Sequence, residues 1–173
     1  RRIFMLMQSL RENRDTAYLM LLPVTKAEMV RARFRTVVQL ELLQALACVP
    51  FMALRASYGH LNNAVGIEAN AAFLGLGLVQ MGLFNLVFFP MHYRNAYDLG
   101  KPFVAASVVE FFYIILAEAC DHVIPYMKTV CESYAIADQL RQWPVLLGGA
   151  VVFALLTMAA ERSSARRFEK VDL

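Results

Sequence analysis

Two segments of the chain, residues 71–91 and 143–160, contain no charged side chain over their whole length. Each is close to the roughly 20 residues that an α-helix needs to cross a ~30 Å hydrocarbon core, because each residue adds about 1.5 Å. A core helix of a water-soluble protein is usually shorter and has one polar face. The two segments therefore predict membrane-spanning helices.

Two further apolar segments, residues 36–54 and 103–120, also reach spanning length but contain polar side chains. Composition supports counting them, since 59% of the 173 residues are hydrophobic and 18% are charged. Soluble domains contain about 45–50% apolar and about 25% charged residues. The excess excludes an ordinary soluble, disordered or nucleic-acid-binding domain. We predict an all-α membrane protein, a single transmembrane domain built as a polytopic helical bundle with four complete transmembrane helices.

The positive residues alternate between the connecting stretches as a four-span topology requires. Residues 1–35, the loop after the second span and the tail at 161–173 contain fourteen of the seventeen Lys and Arg residues. The remaining three are Arg55, Lys128 and Arg141. Because loops rich in Lys and Arg stay in the cytoplasm, we predict a multi-pass protein of the cell membrane with both visible ends cytoplasmic.

The segment before the first span has a helix start signal of its own. Thr25 and Glu28 are three residues apart, which is the capping-box spacing in which each side chain bonds the other residue's backbone amide. Apolar residues at 29, 30 and 34 then alternate with Arg31 and Arg35. This pattern predicts a cytoplasmic amphipathic helix that continues directly into the first span.

The ionisable residues inside the spans need a reason to be there, because a charge near the bilayer centre costs about 2.5–3.5 kcal/mol even on lenient scales. In the first span, Val37, Glu41, Gln44 and Cys48 follow one another at helical spacing, and Glu110 lies in the third span. One interpretation is a polar surface along a transport path or a dimer seam, formed by Glu41, Gln44 and Glu110. The other is a carboxyl group held by hydrogen bonds for structure.

The sequence contains no pattern that would give this chain an active site of its own. The P-loop that binds ATP phosphates is missing, and the glycines at 75, 77 and 82 favour close helix packing in the membrane. Cys120, Asp121, His122 and Cys131 fall close together, but their spacing matches no zinc signature. We therefore assign no catalytic, cofactor-binding or metal-binding residue.

Four stretches carry a resemblance to a known family. Residues 12–34 read ENRDTAYLMLLPVTKAEMVRARF, and their core runs from Leu22 to Arg33. The other three are residues 82–90 (GLFNLVFFP), 100–103 (GKPF) and 165–173 (ARRFEKVDL). In this order they resemble the ABC-2 type transporter permeases of bacteria, over essentially the whole chain.

The resemblance implies a six-helix permease subunit of an ATP-binding cassette exporter, in which the visible sequence begins near the end of the second membrane helix and is N-terminally truncated. It also implies a second permease subunit, in a homo- or heterodimer within the lipid bilayer. A separate ATP-binding subunit would hold ATP and Mg²⁺, so this chain needs no cofactor and is not expected to be an enzyme. The contact with that subunit is expected at Pro23, Thr25, Lys26, Glu28, Arg31 and Arg35.

Two other functions remain open from the residues alone. A membrane-embedded enzyme would use Glu110, Glu118 and His122, although no reaction follows from them. A non-transporting immunity or structural membrane protein would need no ATP-binding partner. Association with an ATP-binding subunit would distinguish the transporter from both.

Overall fold

The computed structural model describes residues 25–57, 68–94, 98–133 and 138–170. Five α-helices account for nearly all of them, and no β-strand occurs in these ranges. We number the helices in chain order: α1 (Lys26–Ser57), α2 (Ala71–His92), α3 (Gly100–Val123), α4 (Pro125–Cys131) and α5 (Gln139–Glu169).

Four of these helices, α1, α2, α3 and α5, are long and apolar enough to cross a membrane. Each contains one of the segments that hydropathy singles out. The prediction of an all-α membrane protein with four membrane helices is therefore confirmed. The short helix α4 begins at a proline, a residue well suited to a first helical turn because its missing N–H has no partner to lose there.

Helix α2 occupies the centre of the bundle. It contacts α5 along most of its length and α3 on another side, while α1 packs mainly on α5 and touches α2 at a few places. The main apolar core lies where α1 begins and α5 ends, and it includes Phe34, Phe88, Phe89 and Phe168. We call this the Thr25 end of the bundle, and the opposite one the α4 end.

Glycines set the close approach of α2 and α5. A Cβ atom at Gly75 would lie 2.5 Å from the carbonyl oxygen of Val145, and one at Gly149 would overlap the backbone of Gly75. A residue with any side chain would therefore clash at these two positions, so the contact requires glycine, as expected for helices that associate in lipid. At Gly77 and Gly148 a Cβ atom would meet nothing within 4 Å. The packing role predicted for Gly75 and Gly82 is confirmed, since a Cβ atom at Gly82 would lie 3.2 Å from Leu156 and Phe153, but the role predicted for Gly77 is not.

At the α4 end, one amide side chain joins two segments that are distant in sequence. The two hydrogens on the Nδ2 atom of Asn70 are shared among three backbone carbonyl oxygens, those of Val130 (3.0 Å), Cys131 (3.0 Å) and Ser133 (2.8 Å). Its Oδ1 atom accepts from the Phe73 backbone N–H at 3.0 Å, which caps α2. Asn70 thus satisfies carbonyl groups at the end of α4 and an amide at the start of α2 together.

Candidate functional site

Helix α1 begins at a reciprocal cap. The Thr25 backbone N–H donates to Glu28 Oε2 at 2.8 Å, and the Glu28 backbone N–H donates to Thr25 Oγ1 at 3.3 Å. The Thr25 hydroxyl also donates to Glu28 Oε2 at 2.8 Å. The capping box predicted from the sequence is confirmed, and it gives the helix a defined first turn.

The first turns of α1 are amphipathic, as the sequence predicts. Val30 and Phe34 are buried in the core at the Thr25 end, and the Phe34 ring lies 4.6 Å from that of Phe89 on α2. Arg31 and Arg35, which alternate with them, are exposed. Burial of the apolar face therefore fixes how the helix is rotated and which residues it presents outward.

At the Thr25 end of the bundle, three cationic side chains make contacts between helices, two from α1 to α5 and one from α5 to α2. Arg31 Nε lies 3.6 Å from Glu161 Oε1 on α5, and Lys26 Nζ lies 6.0 Å from the centre of the Phe168 ring. Arg167 donates to the Pro90 carbonyl oxygen at 3.2 Å. The Arg31 side chain is 62% exposed, and exposed ion pairs contribute only about 0–1 kcal/mol. We therefore interpret these contacts as setting orientation more than stability.

The residues predicted to contact a partner divide into two groups. Thr25, Glu28, Arg31 and Arg35 are exposed along the start of α1, and we call these four residues the coupling surface. Lys26 is only partly exposed because it lies against α5, and Pro23 falls outside the described residues.

A buried polar group links three helices inside the bundle. Asn85 Nδ2 on α2 donates to Glu41 Oε2 on α1 at 2.9 Å and lies 3.4 Å from Thr157 Oγ1 on α5. Glu41 is 4% exposed and Asn85 is fully buried. We call Glu41, Asn85 and Thr157 the polar centre. The carboxyl group is placed where it meets a hydrogen-bond donor and is shielded from lipid.

The other two residues predicted for a path or seam lie elsewhere. Gln44, three residues after Glu41, is exposed on the outside of α1. Glu110 on α3 is half-buried, and its side chain lies near that of Gln80 on α2. In the described part of the chain these three side chains thus have different surroundings, and their place along a transport path or dimer seam stays a prediction.

Sequence reasoning missed the partners of these groups. Asn85 and Thr157 were visible as polar residues in apolar spans, but their spacing in sequence does not show that both lie close to Glu41. The pair formed by Arg55 Nη2 and Glu68 Oε1 at 2.8 Å was missed as well. An amide or hydroxyl inside an uncharged span is the signal that would have pointed to the polar centre.

Ligand-type side chains at the α4 end do not assemble into a metal site. No three His, Cys, Asp or Glu side chains converge in the described parts of the chain. Cys131 is buried, and its burial, reinforced by the neighbouring carboxylate of Asp121, raises the pKa of the thiol to about 12. The thiol therefore stays protonated near neutral pH.

The fold and the exposed apolar helix faces define a polytopic α-helical membrane protein. The family model described as "ABC-2 family transporter protein" matches residues 2–169. The chain therefore belongs to the ABC-2 transporter family and is a membrane transporter permease. Comparison with curated proteins and with solved structures gave no significant match.

Proposed function

We propose that this permease is the membrane subunit of an ATP-driven exporter, and that the coupling surface on α1 receives the movement of a separate ATP-binding subunit. The observation that carries the proposal is the continuity of α1. One continuous helix of 32 residues runs from the Thr25 cap through the membrane segment to Ser57, and its internal proline, Pro50, comes after the residue that α1 contributes to the polar centre.

The start of α1 has the properties that mechanical coupling requires. Its apolar face packs on α2 and α5, while Glu28 and Arg35 remain exposed to a partner. From Glu28 to Glu41 the helix rises about 20 Å at 1.5 Å per residue. A push on the exposed face therefore reaches the polar centre without passing through a flexible loop.

The polar centre gives the movement a place to act. It is where α1 makes a side-chain hydrogen bond to α2, through Glu41 and Asn85. A rotation or shift of α1 would break this bond and form others, which is the behaviour of a two-state helix contact. ATP binding at the partner would then bias one arrangement over the other.

The partners and the location follow from the same proposal. ATP and Mg²⁺ would be held by the ATP-binding subunit, and a second permease subunit, identical or related, would complete the transporter. The distribution of fourteen of seventeen positive residues supports placement in the cytoplasmic membrane with both visible ends inside. The coupling surface would then face the cytoplasm, where ATP is available.

The direct test is co-purification of the full-length protein with the ATP-binding subunit encoded next to it, followed by ATPase measurement. Arg35→Glu reverses a charge on the coupling surface without breaking the Arg31–Glu161 pair. We expect it to weaken association about a hundredfold, because like charges brought together at an interface cost several kcal/mol and each 1.4 kcal/mol is a factor of about ten in affinity. Lys128→Glu, which reverses an exposed positive charge at the far end of the bundle, is the matched control.

Two results would contradict the proposal. One is that the wild-type protein neither binds the ATP-binding subunit nor changes its ATPase rate. The other is that Arg35→Glu and Lys128→Glu behave alike. Either an embedded enzyme or a non-transporting immunity protein would give the first result.

A further inference from the structure

One exposed face of α5 is apolar over its middle turns and basic near its C-terminal end. Val151 and Leu155 are 59% and 58% exposed, and Met158 is exposed beside them. Arg162 and Arg166 follow at helical spacing, and both are exposed. Because residues three, four and seven apart lie on one side of a helix, these five residues form a continuous stripe.

The opposite face of α5 fixes this orientation. Thr157, Ala160, Ser164 and Phe168 repeat at intervals of three and four residues, and all are buried. The helix is unbroken from Gln139 to Glu169, so the two faces keep their directions into the last turns. The two arginines therefore point to the same side as the apolar stripe.

Neither arginine is neutralised within the part of the chain that the structure describes. The side chains of Arg162 and Arg166 form no ion pair or hydrogen bond there, whereas that of their neighbour Arg167 donates to the Pro90 carbonyl oxygen. Glu169 lies on the same side one turn further on, but it forms no ion pair with either of them. Among the described residues, the stripe thus ends in two positive charges that have no protein anion beside them.

We propose that this stripe is a binding surface for an anionic phospholipid, whose acyl chains lie along Val151, Leu155 and Met158 and whose phosphate group binds Arg162 and Arg166. The inference rests on the cytoplasmic orientation in the proposed function. An apolar stripe leading into arginines matches the order of a lipid molecule, from hydrocarbon to phosphate. Basic residues next to a membrane helix are attracted to anionic lipids in this way.

Other occupants fit the stripe less well. A second copy related by a two-fold axis normal to the membrane would place Arg162 and Arg166 opposite the same residues at the same depth, and like charges would face each other. A soluble ATP-binding subunit could reach the arginines but could not cover the apolar residues that continue into the membrane. A lipid satisfies both parts of the stripe.

The test uses the full-length permease alone, purified in a neutral detergent, with native mass spectrometry to count bound lipids during titration. The probes are phosphatidylglycerol and phosphatidylcholine with identical acyl chains. We expect the wild-type protein to prefer phosphatidylglycerol. Arg162→Gln/Arg166→Gln should weaken its binding about 30-fold, since each basic residue near the surface contributes about fivefold. Lys128→Gln/Arg141→Gln makes the same charge change at the α4 end, where it also removes an exposed ion pair between Arg141 and Asp138 (3.8 Å), and it should bind the lipid as the wild type does.

Three results would overturn the proposal. The wild-type protein could bind both lipids equally, or the two double variants could lose phosphatidylglycerol to the same extent. The third is that Arg162→Gln/Arg166→Gln keeps the lipid but loses self-association, which would assign the stripe to a second copy. Because no ATP-binding subunit is present, none of these outcomes depends on the proposed coupling.

Discussion

The Glu41 carboxyl group costs free energy inside a membrane helix unless the bundle offers it a partner. Asn85 supplies that partner from α2, and Thr157 lies beside the same amide on α5. Hydrogen bonds between membrane helices contribute on average about 0.6 kcal/mol and at most about 1.7 kcal/mol. The main effect of the polar centre is therefore to determine which faces of the three helices meet. Its contribution to the stability of their association is small.

We expect Glu41→Ala to lower the free energy of unfolding by about 1–2 kcal/mol, because it leaves the buried Asn85 amide without its carboxylate acceptor. Glu41→Gln keeps an acceptor oxygen and should retain most of the stability. Unfolding in mixed detergent and SDS micelles, followed by circular dichroism, measures both. Gln44→Ala, an exposed position less than one turn away, is the control. Equal stability of Glu41→Ala and Gln44→Ala would show that the hydrogen bond contributes nothing.

The sequence predicts that Glu41 faces protein, but it does not predict what Glu41 meets. Helical spacing shows which residues of one helix share a side, and it placed Gln44 on the same side as Glu41. In the structure, Ala45 takes the buried position and Gln44 lies outside. Which helix supplies the partner depends on the rotation and depth of all three helices. These are set by packing across the bundle and cannot be read from one segment.

Among the elements, α1 shows why hydropathy marks a span but not the whole helix. The apolar segment begins at residue 36, whereas the helix begins at Lys26. Its first turns are held by the Thr25 cap and by burial of Val30 and Phe34, neither of which depends on lipid. The cap was predictable because it is local. The packing of Phe34 on Phe89 was not, because those residues are far apart in the chain.

The contact between α2 and α5 predicts that alanine substitutions at two neighbouring glycines change the free energy of unfolding in opposite directions. Gly149→Ala forces a methyl group onto the backbone of Gly75, so we expect the free energy of unfolding to fall by about 1–3 kcal/mol. Gly148→Ala meets open space, and it should raise the free energy of unfolding by up to about 1 kcal/mol because alanine favours helix. Thermal unfolding in detergent distinguishes the two.

A second matched pair on α2 checks the same contact from the other side. Gly75→Ala should destabilise the protein and Gly77→Ala should not, because only the Cβ atom at Gly75 would overlap α5. If all four alanine variants were equally stable, the close approach of α2 and α5 would not hold in solution.

At the scale of the whole molecule, the bundle buries a modest part of its apolar surface and leaves the rest outside. Along α3, large side chains such as Phe111, Phe112 and Leu116 are more than half exposed. A water-soluble protein rarely exposes an apolar patch of this extent. Such a surface must be covered by lipid or by a second permease subunit.

The topology gives the last prediction. If the positive residues set the orientation, α4 lies outside the cell and the end of α5 lies inside. With Cys48, Cys120 and Cys131 replaced by alanine, Lys128→Cys and Glu169→Cys each place a single thiol at an exposed position. We expect a membrane-impermeant maleimide to label Lys128→Cys in intact cells, and to label Glu169→Cys only after the membrane is permeabilised.

The two positions control for each other, since both are exposed and differ in which end of the bundle they occupy. If Glu169→Cys were labelled in intact cells and Lys128→Cys were protected, the orientation would be the opposite of the predicted one. The coupling surface would then face away from ATP, because the Arg31–Glu161 pair places it at the same end as the last turns of α5. That single result would therefore contradict both the proposed coupling and the cytoplasmic orientation on which the lipid proposal rests. It would leave the helix packing and the polar centre unchanged.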